Sequence, residues 1–166
     1  MQESKLCCFP VGIVERSDVR EPAAVSGKGR VIEYNEEIMR RPARIRFYKE
    51  YCEAIEGYEP GDLAWIIWYA HKSRTGGSMP LKVRPFMDQS MEEVGVFKTR
   101  SPWRPCPLGL TLVVVLEVEG CSVIVAGLDA VDGTPVLDVK PYTPGLDRPE
   151  VALSRARETL AHRNTS

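Results

Sequence analysis

The stretch Leu110-Thr-Leu-Val-Val-Val-Leu-Glu-Val-Glu-Gly-Cys-Ser-Val-Ile-Val-Ala-Gly-Leu128 indicates the fold class of this chain. Two runs rich in β-branched residues meet at Glu119-Gly120, and glycine supplies the positive φ that a tight turn between antiparallel strands requires. The stretch therefore predicts a long β-hairpin. Residues 112–116 do not alternate apolar with polar side chains, so both faces of this strand should be covered, either by a barrel interior and a helix or by a second subunit.

Further short runs rich in Val, Ile and aromatic residues predict the rest of a mostly antiparallel sheet or barrel. They are bounded by Gly, Pro and Asp and cover residues 11–15, 30–34, 43–47, 63–71 and 136–140. The spacing of apolar residues predicts a short helix over 48–56, with Gly57 as its C-terminal cap, and a second helix over 149–162. The predicted fold is therefore mainly β with one or two short helices, and residues 21–30 are expected to form a surface loop.

The composition is that of one soluble globular domain of 166 residues, in which 22 Lys and Arg balance 23 Asp and Glu. The net charge of −1 excludes a globally basic nucleic-acid-binding protein, so any polyanion has to meet a local basic patch. Five cysteines without a Cys-x-x-Cys fit neither a disulfide framework nor a zinc knuckle, which favours the reducing cytoplasm. The apolar run 6–14 is too short to span a bilayer and lacks a cleavage site, so no membrane segment or export signal is expected.

The segment 98–110 combines three prolines with two arginines. Pro102, Pro105 and Pro107 fix φ and remove backbone donors, so the segment is predicted to be a stiff, extended loop. An arginine on such a loop loses little freedom when it grips a carboxylate or phosphate, which is what a ligand-orienting residue requires. Arg100 and Arg104 are therefore candidates for ligand binding. The alternative is a surface loop whose arginines pair with neighbouring carboxylates.

The segment 127–142 places Asp129, Asp132 and Asp138 around a turn between two apolar runs. A calcium loop needs further oxygen ligands and a downstream Glu, so no metal site is expected. Asp132-Gly133 is either a plain hairpin turn or part of a site for a hydroxyl-rich or cationic ligand. His71 ends an apolar run and is either a capping or surface residue or a catalytic one. The chain lacks the Rossmann and P-loop motifs, which disfavours those nucleotide sites.

Two longer motifs carry a family resemblance. Gly95-Val-Phe-Lys-Thr-Arg-Ser-Pro-Trp-Arg-Pro-Cys-Pro-Leu-Gly-Leu110 and Leu128-Asp-Ala-Val-Asp-Gly-Thr-Pro-Val-Leu-Asp-Val-Lys-Pro-Tyr-Thr-Pro144 together resemble the paired motifs of the TrmO/TsaA-like (YaeB) family. Weaker similarity lies in residues 11–14, 53–57 and 65–71. The resemblance reaches about Asp147, so residues 1–147 are interpreted as the family's domain and 148–166 as a C-terminal extension.

The resemblance implies a closed antiparallel β-barrel that forms a homodimer and binds S-adenosylmethionine near the subunit interface. It also implies a cytoplasmic methyltransferase that acts on N6 of threonylcarbamoyladenosine beside the tRNA anticodon, without a metal or a membrane. Two other functions stay open. One is methyl transfer to a small molecule or a protein, and the other is a cofactor-binding module without turnover.

The resemblance also assigns site residues. It implies cofactor contacts at His71, Lys72, Arg100, Leu110, Asp129, Val131, Asp132, Gly133 and Thr134. The candidates for the base that removes the N6 proton are His71, Asp129 and Asp132, and the candidates for substrate binding are Arg104, Lys140 and Tyr142. Cys106 stands where family members usually have Asn, which removes an amide donor and acceptor from this loop.

Overall fold

Six antiparallel strands close into a barrel in the computed structural model, which describes residues 8–16, 36–73 and 80–163. The strands of this described part are β1 (Gly12–Glu15), β2 (Ala43–Phe47), β3 (Leu63–Tyr69), β4 (Lys82–Val83), β5 (Val94–Gly95), β6 (Leu108–Glu119), β7 (Ser122–Ala126) and β8 (Pro135–Pro141). The order around the barrel is β1-β2-β7-β6-β3-β8, and β4 pairs with β5 in a separate two-stranded sheet. The predicted closed antiparallel barrel is confirmed.

The barrel interior is filled by β-branched side chains from every second position of the strands. On β6 the inward set is Thr111, Val113 and Val115, each 5% exposed or less. Each apolar side chain of this kind stabilises the fold by about 1.5–3 kcal/mol when it leaves water. The fully buried residues that share this interior include Val14, Ile45, Ile66, Val113, Val115, Val125 and Val136.

The hairpin of β6 and β7 forms as predicted, with Gly120 at φ 56° in its turn and Glu119 opposite Ser122. Its outer face differs from the expectation that both faces are covered. Outward side chains of β3 and β6 remain 38–50% exposed within one chain, and they are Leu63, Leu108, Leu110, Val114 and Leu116. No helix of the described part buries this face.

The described helices are α1 (36–40), α2 (Pro144–Asp147) and α3 (Pro149–Arg163), together with 3-10 helices at Lys49–Ile55, Pro85–Met87 and Val96–Lys98. The predicted helix over 149–162 is confirmed. The predicted helix over 48–56 is a 3-10 helix, with an i to i−3 bond from Tyr51 N to Tyr48 O at 2.8 Å. The buried side chain of Ile55 packs against the barrel core and anchors this helix.

Two cysteines are joined in a disulfide, which corrects the expectation that the cysteines form no such bond. Cys52 lies on the 3-10 helix and Cys121 follows the β6–β7 turn, with their Cα atoms 4.8 Å apart. The pair is separated by 69 positions in sequence, so only the closure of the barrel reveals it. Cys8 and Cys106 are free and exposed.

Some predictions fall outside the described residues. The expected strand over 30–34 and the expected loop over 21–30 belong to this group. The division of the chain at residue 147 stays a prediction, although α3 begins two residues later. Among the described helices none is long and apolar enough to cross a membrane.

Candidate cofactor-binding site

The barrel has two different ends. The open end is the one at which β6 begins and β7 ends, and it holds Arg16, His71, the proline loop 98–107 and the segment 127–134. The closed end is the one at which β6 ends, and it holds the 3-10 helix Lys49–Ile55 and the disulfide. The candidate site residues Asp129, Asp132 and His71, whose polar contacts are described below, lie at the open end.

The segment 127–134 crosses the open end of the barrel. It joins β7 to β8, which are not neighbours in the barrel, so Asp132-Gly133 is not the turn of a hairpin. Gly133 has φ 76°, in the region that favours glycine, and its N–H donates to the carbonyl of Val14 at 2.9 Å. The carbonyl of Thr134 accepts from Val14 N at 2.9 Å. Strand β1 thus fixes the second half of the segment.

Asp129 is held by a chain of side-chain hydrogen bonds. Trp68 Nε1 donates to Thr111 Oγ1 at 3.0 Å, and the Thr111 hydroxyl in turn donates to Asp129 Oδ1. The indole of Trp68 lies over Gly109, where a methyl group would come within 2.0 Å of Trp68 Cε2. Only glycine at 109 leaves room for this ring position. These hydrogen bonds use one carboxylate oxygen of Asp129 and leave the second available to a ligand.

Asp132 is held by the chain that follows β1. The backbone N–H of Arg16 donates to Asp132 Oδ1 at 2.6 Å. The Arg16 side chain is buried, and its guanidinium donates to the carbonyl of Ile38 at 3.2 Å and to the carbonyl of Leu128. Arg16 therefore links the end of β1 to α1 and to the segment that carries Asp129 and Asp132.

His71 faces the same segment from the other side. A methyl group on Gly133 would lie 4.0 Å from His71 Nε2, so the imidazole and the aspartate segment are neighbours. His71 Nδ1 is buried and has no hydrogen-bond partner among the described residues. Buried polar atoms in proteins are nearly always paired, so this nitrogen is a candidate for a contact with a ligand.

The proline loop is attached to this end by its backbone and by Trp103. The carbonyl of Pro107 accepts from Ala70 N at 2.8 Å, and Trp103 Nε1 donates to Ser73 O at 2.6 Å. Arg100 is exposed, and its guanidinium makes a long contact of 3.5 Å with the carbonyl of Leu110. The loop leads into β6, and Thr111 of β6 binds Asp129. The loop and the aspartate segment, 20 or more positions apart in sequence, therefore lie at the same end of the barrel.

The other predicted site residues divide into two groups. Leu110, Val131 and Thr134 lie at the open end, with Leu110 exposed and Thr134 buried, and Lys72 is exposed beside His71. Lys140 and Tyr142 do not join them. Lys140 pairs with Asp138 at 2.7 Å, and Tyr142 N donates to Leu63 O at 2.8 Å, both toward the closed end of β8. Their proposed contact with substrate gains no support from this placement.

Three polar residues of the site were not predicted, namely Arg16, Trp68 and Thr111. Arg16 lies 112 positions from Leu128 and 116 from Asp132, and Trp68 lies 43 positions from Thr111. No local pattern connects such positions. The available signals were an arginine directly after an apolar strand and a threonine within the apolar run of β6.

The open end holds two carboxylates, a buried imidazole nitrogen and an exposed guanidinium. Carboxylates accept hydroxyl protons and favour a nearby cation, whereas a guanidinium binds a carboxylate or phosphate. Within the described residues, no three His, Cys, Asp or Glu side chains are grouped so that they could hold a metal ion. The site therefore suits an organic ligand that carries hydroxyl groups and charges of both signs.

Comparison with known proteins identifies the family. Residues 34–148 match the family model of the tRNA-methyltransferase O N-terminal domain. A protein of Methanothermobacter thermautotrophicus named as a probable S-adenosyl-L-methionine-binding protein is 34% identical over 147 residues, which cover 89% of this chain and 97% of that protein. The tRNA (adenine(37)-N6)-methyltransferase of Escherichia coli is 38% identical over 115 residues, which cover 66% of this chain and 48% of the enzyme.

A solved structure agrees. The crystal structure of TrmO from Pseudomonas aeruginosa superposes with a TM-score of 0.64 at 26% identity, over 87% of this chain and 59% of that one. The chain thus spans about half the length of the bacterial methyltransferases that it matches, and nearly all of the archaeal protein. Because the family model covers more than half of the chain, this protein belongs to the family of the tRNA-methyltransferase O N-terminal domain.

Proposed function

We propose that this protein is an S-adenosylmethionine-dependent tRNA methyltransferase that acts on N6 of adenosine 37. The observation that carries the proposal is the placement of the Arg100 loop and the aspartate segment at the same end of the barrel, in a chain of this family. Named relatives support the reaction, since those from mouse, human and Escherichia coli are tRNA (adenine(37)-N6)-methyltransferases.

The residues at the open end fit S-adenosylmethionine. Its carboxylate suits Arg100, and its ribose hydroxyls suit the oxygen of Asp129 that Thr111 leaves available. The buried Nδ1 of His71 is one polar atom that such a ligand would satisfy, and the exposed Leu110 offers an apolar wall for adenine. When bound, S-adenosylmethionine supplies an electrophilic methyl group on a cationic sulfur.

The work left to the protein is orientation and removal of one proton. Orientation accounts for most of the rate gain when two reactants are held in line, and the stiff loop and the pinned aspartates serve that role. A carbamoylated N6 is a poor nucleophile until it loses its proton, so a base is needed. The candidates are His71, Asp129 and Asp132, and the Oδ1 atoms of the two aspartates already accept hydrogen bonds from Thr111 and from Arg16 N.

We also propose that the protein acts as a homodimer in the cytoplasm. The outward apolar face of β3 and β6, which one chain leaves exposed, supports a contact between two copies that lies close to Leu110 and the site. A tRNA substrate supports a cytoplasmic location. Sedimentation of the purified protein tests the dimer, and a monomer at micromolar concentration would contradict it.

The direct test is incubation with labelled S-adenosylmethionine and bulk tRNA, followed by analysis of the nucleosides. The expected product is methylated threonylcarbamoyladenosine. Binding of the cofactor without any methylated nucleoside would favour a module without turnover. Transfer of label to protein or to a small molecule, with no steep loss of activity as salt rises, would favour the other methyl acceptors.

Replacement of Arg100 tests the cofactor site itself. Arg100→Ala should weaken binding of S-adenosylmethionine by about 1.5–3 kcal/mol, the range of a charge-assisted contact, while the free energy of unfolding barely changes. Calorimetry measures the affinity. Arg155→Ala is the matched control, because Arg155 on α3 also makes one long contact, 3.4 Å to the carbonyl of Gly145. Full affinity in Arg100→Ala would remove this residue from the site.

A further inference from the structure

Two large aromatic side chains are exposed beside the candidate site. Phe97 is 74% exposed and Trp103 is 50% exposed, although aromatic rings of this size dominate buried cores and interfaces elsewhere in proteins. The site described above uses only the indole N–H of Trp103, which anchors the loop, and leaves the faces of both rings unused. Both belong to the segment 96–107, whose carbonyl at Pro107 is bonded to Ala70 N next to His71. The rings therefore lie along the approach to the open end.

Trp103 is held in place by hydrogen bonds, and the segment that carries Phe97 is anchored by a buried neighbour. Trp103 Nε1 donates to Ser73 O at 2.6 Å and Trp103 N donates to Ser101 Oγ at 3.2 Å, while Pro102 and Pro105 stiffen the chain on either side. Phe97 belongs to the 3-10 helix Val96–Lys98, in which Val96 is buried. A ring that is fixed before binding loses little entropy when a flat partner stacks on it.

The charge around the rings is positive. The guanidinium of Arg104 lies 5.7 Å from the centroid of the Phe97 ring, and Lys98 and Arg100 flank it. No Asp or Glu occurs in sequence between Glu93 and Glu117, and within the described residues neither Lys98 nor Arg104 forms an ion pair. The acidic run formed by Glu50, Glu53, Glu56, Glu59 and Asp62 lies at the closed end instead. The surface thus suits an anionic partner that approaches the open end.

We propose that Phe97 and Trp103, with Lys98 and Arg104, form a platform on which unpaired bases of an RNA loop stack while the two cations contact its phosphates. Single-stranded nucleic acid is recognised by this combination of stacking on aromatic rings and attraction of the backbone. The inference rests on the proposed function and adds to it the surface and the mode of recognition. The stacked bases are those that flank the nucleotide presented to His71 and Asp129.

The alternatives fit the surface less well. A second copy of this chain would bring the same basic segment against itself if this surface were the centre of a two-fold contact, which costs energy through like charges. A phosphorylated peptide would use the cations but would leave two exposed rings without a partner. Unpaired bases use both features at once.

The test measures binding of an RNA hairpin with an anticodon stem and loop at several salt concentrations. The variants Phe97→Leu and Trp103→Leu keep an apolar side chain and remove the ring. Each should weaken binding by about 5-fold to 100-fold, since stacking contributes about 1–3 kcal/mol per base, and the dependence on salt should not change. Lys98→Gln should reduce the slope of log affinity against log salt by about 0.7–1, because one phosphate contact is lost.

A matched control is available in Phe9→Leu, because Phe9 is 73% exposed and precedes β1 away from this segment. This variant should bind the hairpin as the wild type does. Thermal melting of each variant checks that the barrel is intact, and calorimetry checks that S-adenosylmethionine still binds.

Three results would overturn the inference. Unchanged RNA affinity in both Phe97→Leu and Trp103→Leu would contradict the platform. If the wild type still methylated tRNA, the proposed function would not be affected by that result. Dissociation of a dimer in these variants, with RNA affinity unchanged, would assign the surface to a second copy. Wild-type protein that neither binds the hairpin nor methylates tRNA would instead contradict the proposed function.

Discussion

The closed and open ends of the barrel are built from the same strands but are held together differently. At the closed end, Ile55 packs against the core, the disulfide joins Cys52 to Cys121, and backbone bonds such as Val115 N to Asp62 O at 2.8 Å seal the edge. At the open end, polar side chains make the links, with Arg16 bound to Leu128 and Thr111 bound to Asp129. The closed end is held by covalent and apolar contacts. The open end is held by polar groups that can form further hydrogen bonds with a ligand.

The difference shows where a barrel of this size can bind a ligand. An end fixed by side-chain hydrogen bonds presents carboxylates and an imidazole whose positions are already set. The outer charge follows the same division, with acids near the closed end and cations near the open end. We therefore expect stability and binding to depend on opposite ends, which variants of each end can test.

The largest expected effect is at the closed end. Loss of the disulfide by Cys52→Ser should lower the free energy of unfolding by about 4 kcal/mol in the chain-entropy account, because the bond closes a loop of 69 positions. Urea denaturation of the oxidised protein measures this loss, and Cys106→Ser, which changes a free cysteine, is the control. Cofactor affinity should not change. A matching loss of affinity would show that the two ends are coupled.

Replacement of the buried arginine should disturb the open end. Arg16→Met removes the donors to the carbonyls of Ile38 and Leu128 and should lower the free energy of unfolding by about 3 kcal/mol. It should also weaken binding of S-adenosylmethionine, because the carbonyl of Leu128, directly before Asp129, then loses its donor. Denaturation and calorimetry measure the two effects, and Arg16→Lys should recover part of both. A stability loss with unchanged affinity would limit Arg16 to a structural role.

A smaller effect is expected from the hydroxyl that holds Asp129. Thr111→Val keeps the shape of the side chain but leaves Trp68 Nε1 and Asp129 Oδ1 without their partner. We expect a loss of about 1–2 kcal/mol in stability and roughly tenfold in cofactor affinity. Thr111→Ser should restore the affinity. If valine and serine at this position behave alike in calorimetry, the hydrogen-bond chain does not position Asp129.

The smallest effect is a pH dependence of the closed end. Burial, with Asp62 and Asp138 nearby, raises the pKa of Tyr58 above its ordinary value of 10.0. The folded state therefore retains this proton at a pH where the unfolded chain loses it, so the contribution to stability is complete below about pH 10 and is lost as pH rises through the folded pKa. In that range the free energy of unfolding of the wild type should fall relative to that of Tyr58→Phe, as urea denaturation measures. Parallel curves up to pH 11 or so would contradict this.

Local patterns in the sequence predicted the strands and the main hairpin, because alternation, β-branched residues and the Gly120 turn act over a few neighbouring positions. The predicted strand over 43–47 coincides with β2, whereas the predicted strand over 63–71 ends two residues early, where Ala70 N turns to Pro107 O. Patterns failed at the 3-10 helix and at Cys52–Cys121, since distant contacts with the barrel decide both.

The sequence by itself determined that the chain is a mainly β domain with a proline-stiffened arginine loop and an aspartate turn, and the motifs that it carries indicated the family. Only the tertiary structure decided that the aspartate turn crosses the barrel end and that Arg16 and Thr111 hold it. It also places Lys140 and Tyr142 toward the closed end, away from the other candidate residues. The physical reason is distance along the chain. Backbone conformation follows from neighbouring residues, whereas a binding site depends on side chains that meet only after the barrel has closed.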